Sequence, residues 1–127
     1  MDAEQLKRIP LFSDASDEEL KKVAVFAETK EVAEGTEVVH EGGFSRALMA
    51  IEDGTAEVTR EGEHVADLGQ GDIFGEAGML DDSMRSASVT ATSRLKLISM
   101  GHFEVKRLKK GAPGVYEEIE KLVEERS

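Results

Sequence analysis

Cysteine and tryptophan are absent, proline occurs twice, and aromatic residues make up 5 % of the chain. Without cysteine there is no disulfide staple, no thiolate metal site and no sulfur nucleophile. No apolar run approaches the ~20 residues that a membrane-spanning helix needs. The start, Met1-Asp2-Ala3-Glu4, lacks the basic and then apolar pattern of a secretory leader. Positive charge is also scarce: 16 basic residues stand against 27 acidic ones, a formal net charge of −11. General nucleic-acid or anionic-membrane binding needs a basic face, so those classes are disfavoured, whereas one small anion in a local pocket is not. With 39 % hydrophobic residues the 127-residue chain reads as ordered. Its length suits a single domain of roughly 100–200 residues, expected in the cytoplasm.

The hydrophobic pattern divides residues 1–127 into a helical segment (1–28), a β-rich middle (29–100) and a helical end (101–127). Leu6 to Phe12 is an apolar lead-in broken by Pro10. Ser16-Asp17-Glu18-Glu19 has the form of a capping box, and Leu20, Val23, Ala24 and Ala27 follow at helical spacing. From Thr29 to Met100 the period becomes two: Ala56 and Val58 alternate with Glu57 and Thr59, and Ala87, Val89 and Ala91 with Ser86, Ser88, Thr90 and Thr92. Turn signals recur at Glu34-Gly35, Gly42-Gly43, Asp53-Gly54, Glu61-Gly62 and Gly69-Gln70-Gly71-Asp72. That rhythm predicts an antiparallel sandwich, jelly roll or small barrel, with Asp53-Gly54 suited to a tight hairpin. Glu76 to Leu80 interrupts it and predicts one inserted helical turn. Phe103, Val105 and Leu108 mark a helix that Gly111-Ala112-Pro113-Gly114 ends; Val115, Ile119, Leu122 and Val123 then line one face of a last helix.

Catalytic signals are weak. His40, His64 and His102 lie far apart, with no His-x-His or His-Glu-x-x-His pair, so no metal is expected. Gly43-Phe44-Ser45-Arg46-Ala47 lacks the last glycine of a nucleophile elbow, and Gly69-Gln70-Gly71-Asp72-Ile73-Phe74 fails the dinucleotide fingerprint. The informative stretch is Gly71 to Val89. Gly75 and Gly78 permit close backbone approach to a ligand, and a helical turn starting near Glu76 offers unpaired N–H groups to an anion. Arg85, alone among small and acidic neighbours, suits either a phosphate or an ion pair with Asp81 or Asp82. The negative net charge does not forbid the phosphate, because charges beyond the Debye length of ~8 Å are largely screened.

Phe74-Gly75-Glu76, followed nine residues after the glutamate by Arg85-Ser86-Ala87-Ser88-Val89, resembles the phosphate-binding cassette of cyclic nucleotide-binding domains. Catabolite activator proteins and protein kinase A regulatory subunits carry such domains. The helical start, the glycines at 35, 42 and 54, the Gly71-Asp72 entry and the two closing helices extend the resemblance over nearly the whole chain. It implies a mainly β fold: an antiparallel β-roll, jelly-roll-like, with a short cassette helix, an N-terminal helix and two C-terminal helices. It further implies that Arg85 pairs with the cyclic phosphate and that Glu76 accepts from the ribose 2′-hydroxyl. Backbone N–H groups of Gly75, Glu76, Ala77, Arg85 and Ser86 would complete the contacts around Gly78, while Val65 and Leu68 face the base. The family's base lid comes from the last helix, where Tyr116, Ile119, Leu122 and Val123 are the candidates. Ala77 and Gly78 stand where the family commonly has leucine and then alanine, which removes a packing side chain. Ser86 leaves the choice between cAMP and cGMP open, with cAMP favoured.

The resemblance implies a non-catalytic sensor that needs no cofactor, with cAMP or cGMP as ligand and an unidentified effector protein as partner. The chain ends at Ser127 without a helix-turn-helix, so a stand-alone module without a DNA-binding segment is expected. Pairing of two copies through the C-terminal helix is a further expectation. Lys106, Arg107, Lys109 and Lys110 read as a solvated basic face. Two alternatives belong to other classes. An interaction or scaffold domain that keeps the roll without nucleotide is suggested by Ala77 and the acidic surface, and opposed by the presence of both Glu76 and Arg85. A cupin-like metalloenzyme would require histidines that converge only on folding.

Overall fold

The computed structural model describes residues 3–40, 42, 47–75 and 87–126, with the side chains of Ala3, Val123 and Arg126 excluded. Helix α1 (Ala3–Leu6) leads to a 3₁₀ turn at Pro10–Phe12, where proline's fixed φ suits the first position and its missing N–H costs nothing. Helix α2 (Asp17–Phe26) starts at the expected capping box. Ser16 Oγ accepts from the Glu19 N–H at 3.2 Å, and Glu19 Oε1 accepts from the Ser16 N–H at 3.4 Å. Two of the helix's orphan donors are thereby satisfied, and Asp17, Glu18 and Glu19 favour the positive end of its dipole.

Eight strands follow: β1 (Glu28–Val32), β2 (Glu37–Val39), β3 (Ala47–Asp53), β4 (Ala56–Arg60), β5 (Glu63–Leu68), β6 (Ile73–Phe74), β7 (Ser88–Ala91) and β8 (Leu95–Gly101). They form two antiparallel four-stranded sheets, β1-β8-β3-β6 and β2-β7-β4-β5. The chain changes sheet at every connection but β4–β5, and backbone hydrogen bonds lace the β1–β2, β3–β4, β5–β6 and β7–β8 corners together. Gly35 N–H donates to Ala91 O, Thr92 N–H to Thr55 O, and Gly71 N–H to Ile51 O.

Asp53-Gly54 is one of these corners and not the tight hairpin expected, because β3 and β4 lie in different sheets. Gly54 has φ +101°, and a Cβ there would stand 2.4 Å from the Arg94 carbonyl oxygen. Glycine is therefore demanded by a close crossing of backbones as well as by its dihedral. The two-residue hairpin is at Glu61-Gly62, where φ values of 54° and 81° give the doubly left-handed turn that matches strand twist.

The central strands of the first sheet, β3 and β8, are buried on both faces, whereas its edge strand β1 is largely exposed. Met49, Ile51, Phe74, Leu95 and Leu97 meet Val39, Ala56, Val89 and Ala91 of the second sheet between the layers. Leu48, Ala50, Ile73, Ile98 and Met100, the alternate positions, meet Leu6, Ile9, Phe12, Leu20 and Val23 of the N-terminal segment. Helix α3 (His102–Gly111) and helix α4 (Pro113–Arg126) close the same layer through Val105, Leu108, Val115 and Ile119, all buried. Each such side chain contributes about 1.5–3 kcal/mol by leaving water. The buried face of α3 begins at His102 and leaves Phe103 72 % exposed, so that aromatic departs from the apolar face its sequence suggested. Among the described residues, no helix is long and apolar enough to cross a membrane.

Candidate functional site

Strand β6 is an edge strand of the first sheet, paired with β3 through Met49↔Phe74 and Ala50↔Ile73. Its entry is a closed turn: Asp72 Oδ2 accepts from the Gly69 N–H at 2.8 Å, and Ile51 N–H donates to Asp72 O at 2.9 Å. Gly71, at φ +89°, lets this turn approach Pro10, whose Cδ a Cβ would meet at 3.2 Å. Gly69 to Asp72 thus aims β6 and ties it to the N-terminal segment. Phe74 is buried between the layers, and Gly75 follows at φ +82°, in the left-handed region where a side chain is strained.

On the far side of the connection Ser88 and Val89 are buried at the start of β7, in the second sheet. Gly75 thus leaves the first sheet and Ala87 leads into the second, so the segment between them connects the two sheets. Glu76, Ala77, Gly78, Arg85 and Ser86, and the helical turn expected at Glu76–Leu80, lie outside the described residues.

Val65 and Leu68 occupy β5, the edge strand of the second sheet next to β4. Leu68 pairs with Ala56 and packs half-buried against the interior cluster. Val65 is the extra residue of a β-bulge, since Val58 pairs with Ala66 while Thr59 pairs with His64. It is 49 % exposed. The same bulge brings His64 beside Glu57 and Asp67: Nδ1 lies 3.2 Å from Glu57 Oε2 and Nε2 lies 3.7 Å from Asp67 Oδ2. Among the described residues this trio, with Glu57 half-buried and His64 and Asp67 exposed, is the one group of histidines and carboxylates whose ligand atoms converge, within 4.8 Å of one another. Sequence spacing does not reveal it, because His64 and Asp67 would point to opposite faces of a regular strand. His40 pairs instead with Glu37, and His102 is buried with its ring edge-on to Phe103.

The candidate lid residues lie on α4. Ile119 is fully buried in the helical layer, and Tyr116 and Leu122 are half-buried against it; the Val123 side chain is outside the described residues. Burial, and then the Glu120 carboxylate, hold the Tyr116 hydroxyl above its usual pKa of 10.0. Helix α4 is separated from α3 by the single residue Ala112, at φ −145° and ψ 67°, which still donates to Leu108 O. Its first turn is held by Glu19, whose Oε2 accepts from the Gly114 N–H at 2.9 Å. Sequence reasoning also passed over Glu52. This carboxylate is 5 % exposed; Oε1 accepts from Gln5 Nε2 at 3.0 Å, and Oε2 faces Lys96 Nζ at 3.8 Å.

Two antiparallel sheets, preceded by a helical segment and closed by two helices, with a long connection after β6, define a β-roll module. A profile described as the cyclic nucleotide-binding domain matches residues 29–110. The chain belongs to this family of binding modules. It is 42 % identical over 105 residues to the cAMP-dependent protein kinase regulatory subunit of Yarrowia lipolytica, a match that covers 81 % of this chain and 28 % of that protein. The chain thus spans under a third of that relative's length. Among solved structures, the catabolite activator protein of Thermus thermophilus is similar with a TM-score of 0.83 and 26 % identity, over 92 % of this chain and 57 % of that one. The regulatory domain of Toxoplasma gondii protein kinase A, solved with cAMP, has a TM-score of 0.84 at 24 % identity, over 97 % of this chain and 48 % of that one; it attests the fold.

Proposed function

We propose that this chain is a cyclic purine nucleotide sensor of the cytoplasm, with cAMP preferred to cGMP. The observation that carries the reading is Phe74-Gly75-Glu76 followed by Arg85-Ser86-Ala87 on the segment that bridges the two sheets. Gly75, left-handed and without a Cβ, opens that segment to close approach by a ligand. In this reading Arg85 forms a bidentate pair with the cyclic phosphate, Glu76 accepts from the ribose 2′-hydroxyl, and backbone N–H groups from Gly75 to Gly78 and at Ser86 complete the cradle. Val65 and Leu68 supply the apolar wall for the base. The names of the kinase regulatory relatives support the preference for cAMP.

The signal is a shift of population. The one-residue break at Ala112 lets α4 pivot, so that Tyr116, Leu122 or Val123 reaches the base in the closed state, while Ile119 stays in the core. Nucleotide favours that state by its differential affinity, and an effector protein, or a second copy through α4, reads the change.

Calorimetric titration with cAMP and cGMP, beside Arg85→Ala, tests the proposal. Micromolar binding, about −8 kcal/mol, is expected for cAMP, with a loss of about 100-fold in the variant as charge-assisted bonds disappear. No heat from either nucleotide, with folded protein free of carried-over ligand, overturns the sensor. Binding that leaves amide exchange in α4 unchanged overturns the switch alone.

A further inference from the structure

We infer that the outer face of α2 and α3 is a docking surface for an acidic, amphipathic helical segment of a partner protein. On this strongly negative chain, Lys106, Arg107, Lys109 and Lys110 crowd one ten-residue helix whose sole carboxylate is Glu104. All four cations are exposed, and none is ion-paired among the described residues. Lys7, Arg94, Lys96 and Lys121 each face a carboxylate of the chain; among the other described cations, α3 is where four gather on one helix, next to Lys22 of α2. In a molecule with so many acids, a helix of unneutralised cations is charge left for something else to complement.

The same face carries apolar surface that the fold does not use. Phe103 is 72 % exposed, and together with Lys106, Arg107, Lys109 and Lys110 it lines a concavity of ≈ 480 Å³. Helix α2 continues the surface: Arg107 lies over the Phe26 ring with its guanidinium carbon 6.0 Å from the centroid, and Lys22 lies against Gly111. Val25, on α2, is 78 % exposed. An exposed aromatic ring within lysine stems gives a partner one apolar anchor and a basic rim, the anatomy of a helix-in-groove contact. The net charge of −11 over the rest of the chain opposes an extended anionic bilayer, which faces much of the molecule, more than a short segment that meets these two helices alone. The charge sign selects glutamate- and aspartate-rich segments.

The test titrates a synthetic amphipathic peptide, with a leucine stripe on one face and glutamates on the other, into the isotopically labelled, nucleotide-free chain. Amide shifts confined to α2 and α3 are expected, with affinity that falls as salt rises. Phe103→Ala and the charge reversal Lys106→Glu/Lys110→Glu should each weaken binding by about tenfold; all three side chains are exposed, so both variants should fold. A same-composition peptide with the stripe scrambled should bind more weakly. Absence of binding, shifts spread over other elements, or equal binding of the scrambled peptide overturns the inference. So does tighter, Phe103-dependent binding to phosphatidylserine-containing vesicles, which assigns the face to membranes. Shifts at α3 that follow protein concentration without peptide assign it to a second copy, and also overturn it.

Discussion

Glu19 serves two helices at once: its carboxylate closes the capping box of α2 with Ser16 and accepts the Gly114 N–H at the start of α4, at 2.9 Å. The residues are 95 positions apart in sequence, so one side chain couples the N-terminal segment to the helix proposed to move. Replacing it with alanine removes both contacts. Glu19→Ala is expected to lower stability by about 1–2 kcal/mol in urea unfolding and to speed amide exchange at Gly114 and Val115. Glu19→Gln, which keeps the acceptor, should retain most of the stability. Equal midpoints for alanine variant and parent would show the bond to be without weight.

The corner glycines rank by what surrounds them. Gly35 (φ +91°) has open space where a Cβ would go, whereas at Gly54 (φ +101°) a Cβ would press on backbone at Arg94 and Leu95. Gly35→Ala should cost about 1–2 kcal/mol from the left-handed conformation alone. Gly54→Ala should cost clearly more, because backbone atoms cannot step aside as a flexible side chain can. Thermal denaturation of the two variants side by side reads the order, and a reversed order would contradict the account of the corner.

Tyr116 is the one tyrosine of the chain, so its ionisation can be followed by tyrosinate absorbance without overlap. Burial and Glu120 raise its pKa in the folded state. The folded chain then holds that proton more tightly than the unfolded chain. The stability this contributes is complete below pH ~10 and is lost as pH rises through the folded value. The absorbance midpoint should lie above 10.0 in native protein and return to it in denaturant. Tyr116→Phe should remove this component of the alkaline loss of stability.

Val65 and Ile119 separate binding from folding. Val65 sits half-exposed on a bulge, so Val65→Ala should change stability by about 0.5 kcal/mol or less. If it faces the base, cAMP affinity should still fall by up to about tenfold, since the two methyl groups that would cover the base are gone. Ile119→Ala empties a fully buried site and should cost about 2–5 kcal/mol, so reduced nucleotide binding there would report folding before any role as a lid. Calorimetry paired with denaturation distinguishes the two. An unchanged cAMP affinity in Val65→Ala would remove Val65 from the base wall.

Much of the fold could be read from local chemistry. The capping box at Ser16 and Glu19 stands where a helix start must satisfy its own donors, and the alternation around Ala56 and Val89 matches strands with one face inward. The break expected over Gly111-Ala112-Pro113-Gly114 is narrower in the structure, where Ala112 alone lies between the helices and Pro113 opens α4 at a position that makes its missing N–H harmless. The pattern from Phe74 to Val89 was legible as a resemblance to the family's cassette, because its glycine, acid and arginine stand at short spacing in the chain.

The sequence by itself determined where α2 begins, that a β-rich middle lies between helical ends, that the chain is acidic, and that a stretch resembling the family's cassette is present, because each depends on neighbours within a few positions. Only the tertiary structure decided that Gly54 turns between sheets while Glu61-Gly62 turns a hairpin, since both require positive φ and differ only in which strand lies alongside. It decided that a bulge at Val65 gathers His64 with Glu57 and Asp67, that Glu19 reaches Gly114, and that Phe103 faces outward among lysines. These relations rest on contacts between distant segments, and such contacts exist only once the hydrophobic layers have closed.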